Sequence, residues 1–424
     1  MNIKEKLRQL DTLPHHKELT QDLKTVTITH VNIDQIISGN YQETPFGTVF
    51  CRDKDFPLDY FQGIVQISSY LRKSSSLLSL IAKSPAFDQV ELTKSVFIDT
   101  ETTGLSGGSG TCAFLVGLGY FTENSFRITQ FFMNNFNEER ALLYQVNHLI
   151  EKHNFVVSYN GKCFDLPLLL SRNVYHRLHT SLSNLLHLDL LFTVRRLWKH
   201  KLPDCTLGTA ESQIIKASRN GDIPSYLIPQ IYFEYLRSKD AKPLKAIFYH
   251  NQQDILSLVA LATKACQVFE NPKGETDCFD DILKLGNVYE GLSLYNDSLA
   301  LYNQWEETAP GKMNRRELWF RIALNHKKLR NWGKASEVWE QCISTEHFHP
   351  VPYIELAKYY EHRKKNYSKA KSLVDQALKE IKIVEELNGE YEWTNYRNDL
   401  EYRRNRLVKK IEREFVQNQM HHYP

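Results

Sequence analysis

The sequence predicts two unlike parts: an α/β domain in which strands alternate with helices, then an all-α helical repeat domain. Three observations carry this. The run Val96 to Thr102 reads as an apolar strand bearing two carboxylates one residue apart, and it breaks at Gly104. Strand-like runs then alternate with amphipathic helical stretches as far as Phe269. Beyond residue 276 the pattern is purely helical, and Ala300, Ala335 and Ala370 recur every 35 residues.

At 424 residues the chain is longer than one typical core, so two or three domains are expected. A hydrophobic share of 42% with 24% charged residues places it among ordinary globular chains. A net charge of +3 neither demands nor repels a nucleic-acid partner. The seven cysteines are dispersed and form no C-x-x-C pair, which argues against a zinc knuckle or a redox dithiol and fits reduced thiols in a cytoplasm. No secretory signal is expected in MNIKEKLRQLDTLPHHKE, and no window is apolar enough for a membrane span.

Residues 1–90 read as a lead-in region packing on the α/β domain. Ile3–Leu10 and Leu71–Ile81 are expected as short helices, and Thr25–Ile33 and Gly47–Cys51 as strands. The second region, 91–270, opens with strands over Ser95–Thr102, Ala113–Phe121 and Phe126–Met133. The glycine-rich loop Ser106–Gly110 reads either as a phosphate cradle or as a plain hairpin turn. Asn137–His153 comes next as a helix capped by Asn137, then a strand Phe155–Tyr159 broken at Asn160-Gly161. A helix begins near Phe164-Asp165, and His187–Phe192 reads as a strand or a helix start. Arg195, Arg196 and Lys199 form a basic cluster that Lys216 and Arg219 extend. A long helix, Leu244–Phe269, precedes a linker at 271–276, and the repeat domain occupies 277–424. Its basic residues from Lys312 to Lys334 are expected to face few acids.

Four acidic positions carry the chemistry. Asp99 and Glu101 share one face of a strand, because side chains alternate there. Paired carboxylates repel each other and call for a cation, and oxygen donors suit magnesium or manganese. Asp165 lies just after the fourth strand, and Asp254 lies on the last long helix, four residues after His250 and five after Tyr249. Four residues bring helical side chains to nearly one face, so His250 projects beside Asp254 better than Tyr249 does.

In this order the set resembles the DEDD exonucleases, the DnaQ-like branch of the ribonuclease H-like superfamily, a resemblance that implies a mixed sheet with helices on both faces. Asp99, Glu101, Thr102, Thr103 and Gly104 match the first motif, and Asn160, Gly161, Phe164 and Asp165 match the second. In the third motif a histidine base normally stands five residues before the aspartate and a tyrosine base four. Here the residue types and spacings are exchanged, so His250 is favoured as base and Tyr249 remains the alternative. With its Ala113–Gly117 strand, His250–Leu256 run and helical repeats, the chain is similar to the YprB-like family, also called mitomycin repair factor B. That resemblance implies a metal-dependent 3′–5′ exonuclease acting on DNA in repair, beside a helicase or another protein held by tetratricopeptide-like repeats. It further implies two divalent ions, Mg²⁺ or Mn²⁺, held by Asp99, Glu101, Asp165 and Asp254. Thr102, Thr103, Gly104 and Asn160 would lie beside the substrate, and Arg195, Arg196 and Lys199 along its phosphates. An exoribonuclease, or a metal-free scaffold, are the competing readings.

Overall fold

The structure, a computed structural model, describes residues 31–104, 110–276, 278–306, 311–345, 348–388 and 393–420. The expected Ile3–Leu10 helix, most of the Thr25–Ile33 strand and most of the glycine-rich loop lie outside them. Ile33 itself opens a single helical turn, Ile33–Ile36, rather than ending a strand.

Seven strands form the main sheet. They are β1 (Asn40–Thr44), β2 (Gly47–Pro57), β5 (Ser95–Thr102), β6 (Ala113–Phe121), β7 (Ser125–Phe132), β8 (Phe155–Ser158) and β9 (Leu186–Asp189). A separate small hairpin joins β3 (Phe61–Gln62) to β4 (Val65–Gln66). The sheet order is β1-β2-β7-β6-β5-β8-β9. All neighbours are antiparallel except β5-β8 and β8-β9, which are parallel. Residues before 91 are therefore not only a layer laid over the sheet. They supply two of its strands, with β2 pairing along β7 from Phe50↔Phe132 to Pro57↔Ser125.

Helices cover both faces. They are α1 (Ser75–Ala82), α2 (Glu139–Ile150), α3 (Asp165–Tyr175), α4 (Leu190–Trp198), α5 (Ile228–Ser238) and α6 (Leu244–Glu270). Strand β5 divides the interior, sending Phe97 into one apolar cluster and Val96 and Ile98 into the other. The start of α2 differs from expectation: Asn135, not Asn137, caps a short 3₁₀ turn ahead of it by accepting from the Asn137 N–H. The run at 271–276 also differs, because Asn271 caps a helical turn over Pro272–Glu275 and Glu275 pairs with Lys264.

The sheet's mixed character fixes where a ligand would meet it. Strand β5 stands between antiparallel β6 and parallel β8, and parallel strands present a crevice beyond their carboxyl ends. The glycines of β6 let α6 lie unusually close to this point. A Cβ on Gly117, which pairs with Asp99, would meet Asn251 Oδ1 at 2.1 Å and Ile255 Cδ1 at 2.5 Å.

Beyond residue 278 the chain is all-helical: α7 (Phe279–Gly291), α8 (Tyr295–Glu306), α9 (Gly311–Lys328), α10 (Trp332–Ile343), α11 (Pro350–His362), α12 (Tyr367–Asn388) and α13 (Thr394–Met420). The alanine recurrence does not hold in its first copy. Ala335 and Ala370 are buried as the fourth residues of α10 and α12, whereas the fourth residue of α8 is buried Ser298 and Ala300 is exposed. Helices α8, α10 and α12 begin at Tyr295, Trp332 and Tyr367, so the interval is first 37 and then 35 residues. Two of the basic residues expected to face few acids have acidic partners. Arg321 pairs with Glu290 and Glu317, and Lys327 with Glu355. Trp319 donates to Glu306, and Trp332 lies under the Arg363 guanidinium.

The first repeat helices are continuous with the α/β core. Phe279, Ile282, Leu285 and Val288 of α7 join the cluster that contains Val194 of α4 and Phe269 of α6. His200 and Lys201, just past α4, reach Asp281 at 2.8 and 2.6 Å.

Candidate active site

The carboxyl ends of β5, β8 and β9 and the middle of α6 surround a cavity of about 1150 Å³. Asp99, Asp165 and Asp254 line it, with Thr102, Gly104 and Asn160 at its wall. Asp99 and Glu101 both face α6. Asn251 Nδ2 donates to the Asp99 carbonyl at 3.1 Å and to its carboxylate at 2.7 Å. Glu101, His250 and Asp254 offer ligand atoms that all lie within 4.8 Å of one another.

Each side chain is placed by local chemistry. Asp165 starts α3, where a carboxylate suits the exposed N–H groups of a first turn. It also accepts from Thr100 Oγ1 at 2.5 Å. The turn before it is held by Asp189, a buried carboxylate at the end of β9. Asp189 accepts from the backbone of Asn160 at 2.7 Å, Lys162 at 3.1 Å and Leu191 at 3.0 Å, and so caps α4 at the same time. Asn160 adopts the left-handed conformation, φ 63°, that asparagine tolerates. The next residue must be glycine, because a Cβ on Gly161 would meet Ser158 Oγ at 2.4 Å and approach Asp165 Oδ2 at 3.2 Å.

The electrostatics of the acids are those of carboxyls crowded together away from water. Burial raises the carboxyl of Asp99 well above its ordinary range, and Asp254 and Asp165 raise it further against the Asn251 hydrogen bond. Burial raises Glu101 likewise, helped by Asp99, Asp254 and Asp165. Asp165 is pushed up to about 6, again chiefly by burial, with Thr100 opposing. Hard oxygen donors gathered at this density fit Mg²⁺ or Mn²⁺, whose charge would return these groups to the ionised form.

Residues 96–266 match the family model described as the RNase_H superfamily. The domain is ribonuclease H-like in fold, and its mixed seven-stranded sheet with helices agrees with that match. The chain is 28% identical over 352 residues to the uncharacterized protein YprB of Bacillus subtilis (strain 168), covering 80% of this chain and 82% of that protein. Among the described residues no helix is long and apolar enough to cross a membrane.

Within this ribonuclease H-like domain the sequence-predicted residues divide. Asp99, Glu101, Asp165, His250 and Asp254 come together. His250 Nε2 lies 3.5 Å from Asp254 Oδ2, whereas Tyr249 lies beside Tyr60. Arg195 lines the cavity, but Arg196 and Lys199 do not. Arg196 instead donates to the Ile81 carbonyl at the end of α1, and Lys199 is exposed elsewhere. Thr103 holds the ends of the glycine-rich loop, pairing with Cys112 through its N–H and its Oγ1.

Sequence reasoning missed the group behind Asp254. Arg219 is not a surface cation. Its guanidinium donates to Asp254, to Glu211 at 2.7 Å and to Asp222 at 3.0 Å. Glu211 begins a π-helical turn, Glu211–Ile215, a form that recurs at functional sites. A single arginine three residues before an aspartate, Arg219-x-x-Asp222, was the only local sign.

Proposed function

We propose that this chain is a metal-dependent 3′–5′ exonuclease of the DEDD type acting on DNA, with a catalytic unit over residues 91–270. The observation that carries the reading is the convergence of Asp99, Asp165 and Asp254, acids from three distant parts of the chain, on one cavity, with Glu101 beside Asp254. These four residues would hold two divalent ions, Mg²⁺ or Mn²⁺. Such ions, when bound, would supply Lewis-acid stabilisation of the charge that develops during phosphodiester hydrolysis.

The chain's own groups supply the rest. His250 takes the proton of the attacking water, through the nitrogen that faces Asp254. Water oxygen bonds to phosphorus, the bond from phosphorus to the 3′ oxygen of the preceding nucleotide breaks, and a 5′-mononucleotide departs. Thr102, Gly104 and Asn160 flank the terminal nucleotide, and Arg195 meets a phosphate. The helices from 277 to 424, tetratricopeptide-like in spacing, serve as the docking surface for a repair helicase or another protein.

The test is hydrolysis of matched, end-labelled DNA and RNA oligomers with Mn²⁺ or Mg²⁺. Wild-type protein is expected to shorten DNA from the 3′ end, and Asp99→Ala and His250→Ala to lose that activity. Unchanged degradation by either variant removes that residue from the site. Faster loss of RNA moves the substrate from DNA to RNA.

A further inference from the structure

We infer that Asp222 is a positioning residue for the reaction proposed above, fixing the ring of His250 so that Nε2 is the nitrogen presented to the reacting water. This rests on the nuclease reading and adds a residue that lies outside all three DEDD motifs. Asp222 stands in the segment joining the π-helical turn to α5, 28 residues before His250.

The geometry is specific. His250 Nδ1 lies 2.9 Å from both Oδ1 and Oδ2 of Asp222. The other ring nitrogen faces Ser225 Oγ at 3.3 Å and Asp254 Oδ2 at 3.5 Å, and both of those residues line the cavity. A carboxylate can only accept, so Nδ1 must carry the proton and the lone pair of a neutral ring is left on Nε2. A base oriented by a hydrogen-bonded carboxylate on its far nitrogen is a general solution for histidine.

Asp222 is itself held. Arg219 donates to its Oδ2 at 3.0 Å, and its Oδ1 accepts from the backbone N–H of Ile223 at 2.9 Å. Burial pushes the Asp222 carboxyl up, but His250 and Arg219 more than offset this and keep it charged. The ring is 7% exposed, so packing and this pair together leave it little freedom to turn.

The experiment uses full-length protein, with Asp222→Ala, Asp222→Asn, Asp222→Glu, His250→Ala and the Asp222→Ala/His250→Ala double variant. Readouts are kcat and KM on end-labelled DNA with Mn²⁺, Mn²⁺ affinity by calorimetry, and the ring tautomer from ¹⁵N-histidine NMR, with the His250→Ala spectrum as the assignment control. In wild type the His250 proton is expected on Nδ1. Asp222→Ala should lower kcat about 10- to 100-fold with little change in KM or Mn²⁺ affinity. Asp222→Asn keeps the shape but can turn an N–H toward Nδ1 and reverse the tautomer, so it should be at least as impaired as the alanine variant. Asp222→Glu should recover part of the rate. The double variant should be no worse than His250→Ala alone.

An asparagine variant near wild-type rate, or a wild-type proton on Nε2, overturns the inference while leaving the nuclease reading intact. A wild type with the Nδ1 proton but no hydrolysis of any oligomer overturns the nuclease reading, and with it the role given to Asp222.

Discussion

Asn251 touches Asp99 twice, at the main-chain carbonyl and at the carboxylate. Its own side-chain oxygen accepts from Gln130 at 2.8 Å, and Gln130 accepts from Arg52 at 2.9 Å. A chain of polar groups thus runs from β2 across β7 to Asp99. Asn251→Ala leaves the Asp99 carbonyl and the Gln130 amide short of a partner. It should cost about 1–3 kcal/mol in urea denaturation. Hydrolysis should fall about 10- to 100-fold, as expected when a group holding a metal-binding carboxylate is removed. Full activity with lowered stability would show that Asp99 keeps its place without this contact.

Asp189 gives the second expectation. Its two oxygens serve three backbone N–H groups around the turn that delivers Asp165. Asp189→Asn replaces one acceptor by a donor aimed at another N–H. Stability should drop by roughly 2 kcal/mol, and kcat should fall with it, because the Asn160–Asp165 turn is what sets the second carboxylate. A variant with normal denaturation and normal rate would separate Asp189 from the site.

One carboxylate gathers three cations of the last helix. Glu361 of α11 is fully buried and receives Arg403, Arg406 and Lys410 of α13. Burial alone would push its carboxyl up, but hydrogen bonds from Lys410 and Arg406 and the Arg403 charge more than offset this and hold it at about 2, against 4.5 in the unfolded chain. Because the folded value is depressed, the stabilisation is present above about pH 4.5 and is lost as pH falls toward 2. Its size is roughly 2 kcal/mol once screening of the partly exposed cations is allowed for. Glu361→Gln should unfold more easily at pH 7 and show a flatter decline between pH 4.5 and 2, read from urea midpoints.

Removing the repeats at Glu275 should damage the α/β part rather than free it. Phe279, Ile282, Leu285 and Val288 share a core with α4 and α6. Burying a large apolar side chain is worth about 1.5–3 kcal/mol, so the cut forfeits several such contributions. The fragment 1–275 is expected to melt well below the full chain or to aggregate. A fragment ending at Arg330, which keeps α7 to α9, should recover most of the lost melting temperature. Equal melting of both fragments would show that the shared core does not stabilise the sheet.

The sequence disclosed what is local and withheld what is not. Strands β5 and β6 match their expected limits, because β6 is a nearly continuous apolar run and β5 an apolar run carrying two carboxylates that breaks at Gly104. The partnership of His250 with Asp254 comes from helical spacing alone. By contrast, the membership of β1 and β2 in the main sheet depends on pairing with β7, some 75 residues onward, and no pattern within 40–57 records it. Arg219 and Arg196 looked alike, as surface cations of a basic stretch. One is buried among three acids and the other closes the end of α1, because their partners come from elsewhere in the chain. Ala300 misled for a smaller reason: two extra residues ahead of α10 offset the first copy, so an unaligned alanine fell on the interval.

The spread of the four acids along the polypeptide also bears on how the protein is made. A ribosome delivers Asp99 early, but Asp254 emerges about 155 residues later, on a helix that must then dock over the middle of the sheet. Until that docking, a nascent chain holds only part of the acid set, and the site proposed above is incomplete.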